Sequence, residues 1–175
     1  MVICKSGGYK WGEVGKSSIF SHLYTMSTTE PKPISYAGEF KRSLDKKHRV
    51  TIPSVWLNAG VDEFHSIPSP KGDCLMVMPP DEFNSIEERF KQSALPPSAQ
   101  RQAIRHFYSQ ARAVAADSEG RVLLPFEQCE ALQLDGEVIL VGGHSRFEIW
   151  TPTRWAEVLA EGAVIFNQGA EMIGL

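Results

Sequence analysis

The chain lacks any long apolar run. No segment approaches the ~20 residues that a membrane-spanning helix needs. Its opening stretch, MVICKSGGYKWGEVGKSSIF, lacks the apolar core of a secretory signal. Cysteine is scarce: Cys4, Cys74 and Cys129 are far apart and form no C-x-x-C pair. Neither a disulfide framework nor a zinc ribbon is supported, and the expectation is a soluble, reduced, cytoplasmic protein with no membrane partner. His65, His106 and His144 lack ligand spacing, so no metal is expected. GEVGKSS imitates a phosphate loop, but Lys10 stands where the first glycine is required. No convergent acid–base pair stands out. The chain is therefore expected to be no enzyme, with no cofactor and no small-molecule ligand.

Basic excess is missing as well. Net charge is −3 over 175 residues, which argues mildly against generic nucleic-acid binding. The distribution is uneven. Residues 41–49 carry five basic residues and one acidic, +4, against 13 basic and 20 acidic elsewhere, −7. This pattern suits a basic tip on an acidic body.

That tip belongs to a repeat. YAGEFKRSLDKKHRVTIP from Tyr36 and YSQARAVAADSEGRVLLP from Tyr108 align at an offset of 72 residues. Asp45 meets Asp117, Arg49 meets Arg121, Val50 meets Val122 and Pro53 meets Pro125. Further on, LMVMPPDEF lies over FEIWTPTRW. Each half reads alike. An extended segment ends at the aspartate, and RVTIP or RVLLP forms a short strand. The proline opens a short helix, SVWLNAG or FEQCEAL. A hairpin follows, EFHSI with CLMVM and EVILV with RFEIW. An amphipathic helix closes each half, with Phe83, Ile86 and Phe90 or Trp155, Val158 and Leu159 at helical spacing. Between the halves, a helix would put Ile104, Phe107, Tyr108 and Ala111 on one face. Cys74, Cys129, Trp56, Trp150 and Trp155 read as core or interface residues. The expected organisation is a mobile extension over 1–35, repeat one over 36–93 (core 39–82) and a linker with a helix over 94–107. Repeat two follows over 108–160 (core 111–154), then a C-terminal tail over 161–175. Met26 is an alternative start.

DKKHR and DSEGR both read D-x-x-x-R. An aspartate opening a turn accepts bonds from backbone N–H groups two or three residues on. Gly120 at the fourth place suits φ > 0. Asp45 and Asp117 are thus chiefly architectural, and they can also orient the arginines. His48 replaces the glycine in half one, which implies either a strained left-handed histidine or a slightly different turn. The basic residues Lys41, Arg42, Lys46, Lys47 and Arg49 have two readings. They are solvated surface charge, or they converge at a ribbon tip that enters the DNA major groove and contacts guanine and phosphate.

LDKKHRVTIP, ADSEGRVLLP, CLMVMPPDEF and EVILVGGHSRFEIWTPTRW together resemble the MraZ family of bacterial transcriptional regulators, built from tandem SpoVT/AbrB-like domains. The resemblance spans 36–160. It implies a β-rich (all-β/α+β) fold of two swapped-hairpin repeats in one pseudo-two-fold barrel, with short flanking helices. It also implies a homo-oligomeric ring that binds repeated elements in double-stranded promoter DNA, in the division and cell-wall gene cluster. The family motif covers Arg49 and Arg121, and the basic cluster adds Lys46, Lys47, Arg42, Lys41 and His48 as expected DNA contacts, with the first repeat dominating. Asp45, Asp117 and Gly120 would shape the loops. The family's loop glycine is missing at His48, and the first 35 residues lie outside the family pattern. Two other readings are a protein-interaction or scaffold module that keeps the barrel without specific DNA binding, and an antitoxin-like protein. The second repeat disfavours the last.

Overall fold

The computed structural model describes residues 35–57 and 60–175. The expected N-terminal extension up to residue 34, with Cys4, Lys10 and Met26, lies outside the described residues, as do residues 58 and 59.

Half one runs β1 (Glu39–Ser43), β2 (Arg49–Thr51), α1 (Ser54–Leu57), β3 (Glu63–Pro68), β4 (Leu75–Met78) and α2 (Pro80–Lys91). After α3 (Pro97–Gln110), half two runs β5 (Arg112–Ala115), β6 (Arg121–Leu123), α4 (Phe126–Leu132), β7 (Glu137–Gly142), β8 (Phe147–Trp150) and α5 (Pro152–Ile173). The fold is β-rich, and all its strand pairs are antiparallel. Prolines start the helices as the turn chemistry requires, with Pro96 and Pro97 opening α3. Pro53 and Pro125 precede α1 and α4, while Pro80 and Pro152 occupy the first turns of α2 and α5, where their missing N–H costs nothing.

The halves interlock. β1 leaves its own half and pairs with β7, while β5 pairs with β3. The hairpins β3–β4 and β7–β8 meet through β4 and β8. The six-stranded order is β1-β7-β8-β4-β3-β5, and β2 and β6 form a separate two-stranded sheet. The strands exchange between halves as expected, but their hydrogen bonds do not close into one barrel, because β1 and β5 remain the edges of the larger sheet. In β2–β6 the pairing is Arg49 with Leu123, Val50 with Val122, and Thr51 with Arg121. This register maps onto itself at the offset of 72, so a pseudo-two-fold axis passes through the Val50–Val122 pair. The hairpin's first arm departs from that offset. His65 pairs with Met78 and Ile139 with Trp150, which places β3 and β7 74 residues apart. A β3–β4 turn two residues longer restores the offset at β4.

The apolar core lies between the two sheets. Val50, Leu75, Val77, Val122, Val138, Leu140, Phe147 and Ile149 are fully buried, with Trp56 and Phe64 nearly so. Trp56 Nε1 donates to the Ala37 carbonyl, so this large ring is buried without an orphaned donor. Two smaller clusters obey the same symmetry. α2 lays Phe83 and Ile86 against Met78 and Ile67, and α5 lays Trp155 and Val158 against Trp150 and Ile139. Cys74 and Cys129 are buried, and burial pushes their thiols up to about 12 and about 11.

Some expectations need adjustment. Tyr36 and Tyr108 are matched in sequence but not in role. Tyr36 is a buried bridge partner of His144, while Tyr108 lies within α3 and packs on Phe83. The inserted helix α3 simply extends into the second copy of the repeat. Residues 161–175, expected as a tail, continue α5 through Ile173, since nothing between Pro152 and Gly174 breaks a helix sharply.

Candidate nucleic-acid interface

The two D-x-x-x-R loops fold alike. In loop one, residues 45–49, Asp45 N–H donates to the Arg49 carbonyl and His48 N–H to the Asp45 carbonyl. Asp45 Oδ1 accepts from the N–H groups of Lys47, at 2.8 Å, and Arg49, at 3.0 Å. In loop two, residues 117–121, the bonds repeat one for one, with Asp117 Oδ1 accepting from Glu119 and Arg121 N–H at 2.9 Å each. Backbone bonds also cross the two-fold axis, from Ile52 N–H to the Gly120 carbonyl and from Leu124 N–H to the His48 carbonyl. Each loop is thus anchored on the strand leaving the other.

His48 takes φ 58° and Gly120 φ 72°. The left-handed alternative for His48 is therefore what the structure adopts. Its ring meets Phe126 edge-on at 5.4 Å. Gly120 has less room, because a Cβ there would sit 3.0 Å from Leu57 Cδ1.

Each aspartate also holds its arginine. Arg49 Nε and Nη2 reach Asp45 Oδ2 at 2.7 and 2.6 Å, and Arg121 Nε and Nη2 reach Asp117 Oδ2 at 3.0 and 2.9 Å. The Arg49 N–H and then its guanidinium pull the Asp45 carboxyl down to about 2. Asp117 is lowered by the same two groups of Arg121. Asp117, with Glu119 adding to it, holds the Arg121 proton above its ordinary range.

Val50 and Val122 point inward, so Arg49, Thr51, Arg121 and Leu123 share the outer face of β2–β6. The two arginines occupy diagonal positions on this ribbon, a relation that spans about 7–8 Å in antiparallel pairs. Thr51 and Leu123 were not expected as site residues. The alternation in RVT and RVL is the signal that could have found them.

The ribbon itself differs from the expected one. It joins β2 to β6, not β2 to the segment before it, so the five basic residues do not share one tip. Lys46, Lys47 and Arg49 belong to loop one. Lys41 and Arg42 stand on β1, whose bonds go to β7. Arg42 Nε donates to the Thr51 carbonyl at 3.2 Å, its Nη1 donates to the Lys41 carbonyl, and its guanidinium lies over the Phe40 ring. Thr51 faces Arg121, so Arg42 flanks the end of the ribbon where loop two returns. Lys41, Lys46 and Lys47 are exposed. An open cleft beside loop one is lined by Lys47, His48, Ala113, Leu123 and Phe126.

Among the described residues, no cluster of His, Cys, Asp and Glu could hold a metal, and no helix is long and apolar enough to cross a membrane. Arginines oriented by carboxylates on an outward ribbon can donate to anionic or base-edge acceptors.

Comparison with known proteins agrees on one family. The model of the MraZ protein family, described as antitoxin-like, matches residues 107–174. The chain is 33% identical to the transcriptional regulator MraZ of Symbiobacterium thermophilum over 137 residues, covering 78% of this chain and 99% of that one. It is 35% identical to the transcriptional regulator MraZ of Clostridium acetobutylicum over 136 residues, 78% of this chain and 94% of the other. The chain belongs to the MraZ family. The MraZ model lies over half two, from the end of α3 to α5. The match of 137 residues in a chain of 175 extends further and takes in both loops.

Proposed function

We propose that this chain is a transcriptional regulator that binds promoter DNA sequence-specifically through its two D-x-x-x-R loops. The observation that carries the reading is the symmetric pair of aspartate-held arginines on the outer face of β2–β6, beside the exposed lysines of loop one. A two-stranded ribbon fits the major groove, where arginine donates to guanine O6 and N7. Lys46 and Lys47 would contact phosphates, with Lys41 and Arg42 supporting the other end of the ribbon. The names of the relatives supply the regulatory role, and repeated elements near division and cell-wall genes are the proposed targets. The protein would work in the cytoplasm, at the nucleoid.

A single chain offers few contacts. A homo-oligomeric ring that presents several loops to repeated sites gains avidity without new contacts. The exposed Val164, Ile165 and Phe166 of α5 support self-association.

Binding to duplex DNA from upstream of this protein's own gene, measured across a salt series, tests the reading. Two phosphate contacts from loop one would give a log–log slope of about −1.8. Arg49→Ala abolishes promoter preference and leaves the assembly intact by light scattering. A flat salt dependence, or unchanged affinity in Arg49→Ala, rejects DNA reading and favours an interaction module.

A further inference from the structure

We propose that Glu119 is a built-in competitor for the arginine of loop two, withholding Arg121 from DNA that Arg49 is free to contact. The inference rests on the DNA-binding reading above and names a control on that same site. The two loops share their backbone bonds, their left-handed fourth residue and their aspartate–arginine pairing. Any functional difference between them must therefore come from the variable side chains. Two positions before the arginine, loop one has Lys47 and loop two has Glu119. Loop one carries a formal charge of +2 over residues 45–49 and loop two −1 over residues 117–121.

The guanidinium contacts show what that exchange does. Arg49 spends Nε and Nη2 on Asp45, and its Nη1 meets no acceptor among the described residues. An edge with two N–H groups stays open, the geometry that guanine O6 and N7 or a phosphate requires. Arg121 makes the same two contacts with Asp117, and its Nη1 also reaches Glu119 Oε2 at 2.7 Å. All three of its nitrogens are engaged. A base or phosphate oxygen must displace the Glu119 carboxylate and then remain beside its charge. Glu119 is 66% exposed, so this pair is screened by salt and can open. It acts as a competitor and not as a structural fixture. Lys47 at the matching place adds attraction for the same ligand.

The test compares the wild type, Glu119→Gln, Arg121→Ala and the double variant on duplex DNA from upstream of the gene, with Arg49→Ala and Glu130→Gln alongside. Arg121→Ala alone weakens binding by less than about threefold, because that arginine is already occupied. Glu119→Gln tightens binding by about fivefold or more, the lower end of one bidentate arginine–guanine contact. Adding Arg121→Ala to Glu119→Gln removes the gain. Glu119→Lys steepens the log–log salt slope by about 0.9, one added phosphate contact. Glu130→Gln, which removes an exposed charge on α4, stays within about twofold of wild type. Unchanged affinity in Glu119→Gln overturns the proposal, as does an equal cost of Arg121→Ala in both backgrounds or an equal gain from Glu130→Gln. In those cases a loss of binding in Arg49→Ala leaves the DNA-binding reading standing. If Arg49→Ala also binds normally, both fall.

Discussion

Substituting the fourth residue of each loop should have unequal consequences for stability. His48 and Gly120 share a left-handed backbone, φ 58° and 72°. For His48→Gly, relief of the left-handed penalty contributes about 1 kcal/mol. Extra freedom in the unfolded chain offsets about 0.4–1 kcal/mol of that. Loss of the edge-on contact with Phe126, at 5.4 Å, offsets about 0.5–1 kcal/mol more. The net change is within about 1 kcal/mol of zero, a shift of no more than about 4 °C in Tm for a chain of this size. For Gly120→Ala the unfolded-chain term changes sign and offsets only about 0.4–1 kcal/mol of the cost. The alanine takes on the left-handed penalty, and its Cβ arrives 3.0 Å from Leu57 Cδ1. A loss of about 1–2 kcal/mol follows, or roughly 2–8 °C in Tm. Urea unfolding followed by circular dichroism and tryptophan fluorescence measures both variants. Gly120→Ala as stable as the wild type would refute the reasoning, as would a loss above about 2 kcal/mol in His48→Gly. Either result would mean that the loops are not held in the shared conformation.

Loop charge gives a pH dependence of known sign. Asp45 titrates at about 2 when folded, below its ordinary 3.8. Its contribution to stability is therefore fully present above about pH 4 and is lost as pH falls through about 2, and Asp117 acts in the same direction. Asp45→Asn flattens that acid limb in denaturant melts between pH 4 and pH 2; an unchanged limb contradicts the assignment. Cys74 and Cys129, held near 12 and 11 by burial, stay unlabelled by iodoacetamide at pH 8 until urea unfolds the chain. Peptide mass spectrometry checks this, and rapid native labelling of either cysteine would show that the core opens.

Turn chemistry is local, which is why the loops were legible in the chain alone. Aspartate reaches backbone N–H groups two and four residues on, so D-x-x-x-R specifies its own conformation in both halves. The short strands, the proline-started helices and the hairpins follow from patterns of a few residues, and so does the repeat that relates them. Family membership was legible for the same reason, being carried by short motifs. The exchange of first strands between halves came only with the resemblance, since nothing in the pattern of β1 itself says that β7 is its partner.

The tertiary structure decided the rest. It set β2 against β6, put both arginines on one outer face, and moved Lys41 and Arg42 away from the tip they adjoin in sequence. It also chose the left-handed conformation for His48, whose N–H donates to the Asp45 carbonyl while its own carbonyl accepts from the Leu124 N–H. The sequence by itself determined two loops of one kind. Only the packed structure made their inequality concrete, since whether Arg49 and Arg121 are free depends on which carboxylates come within reach of each guanidinium.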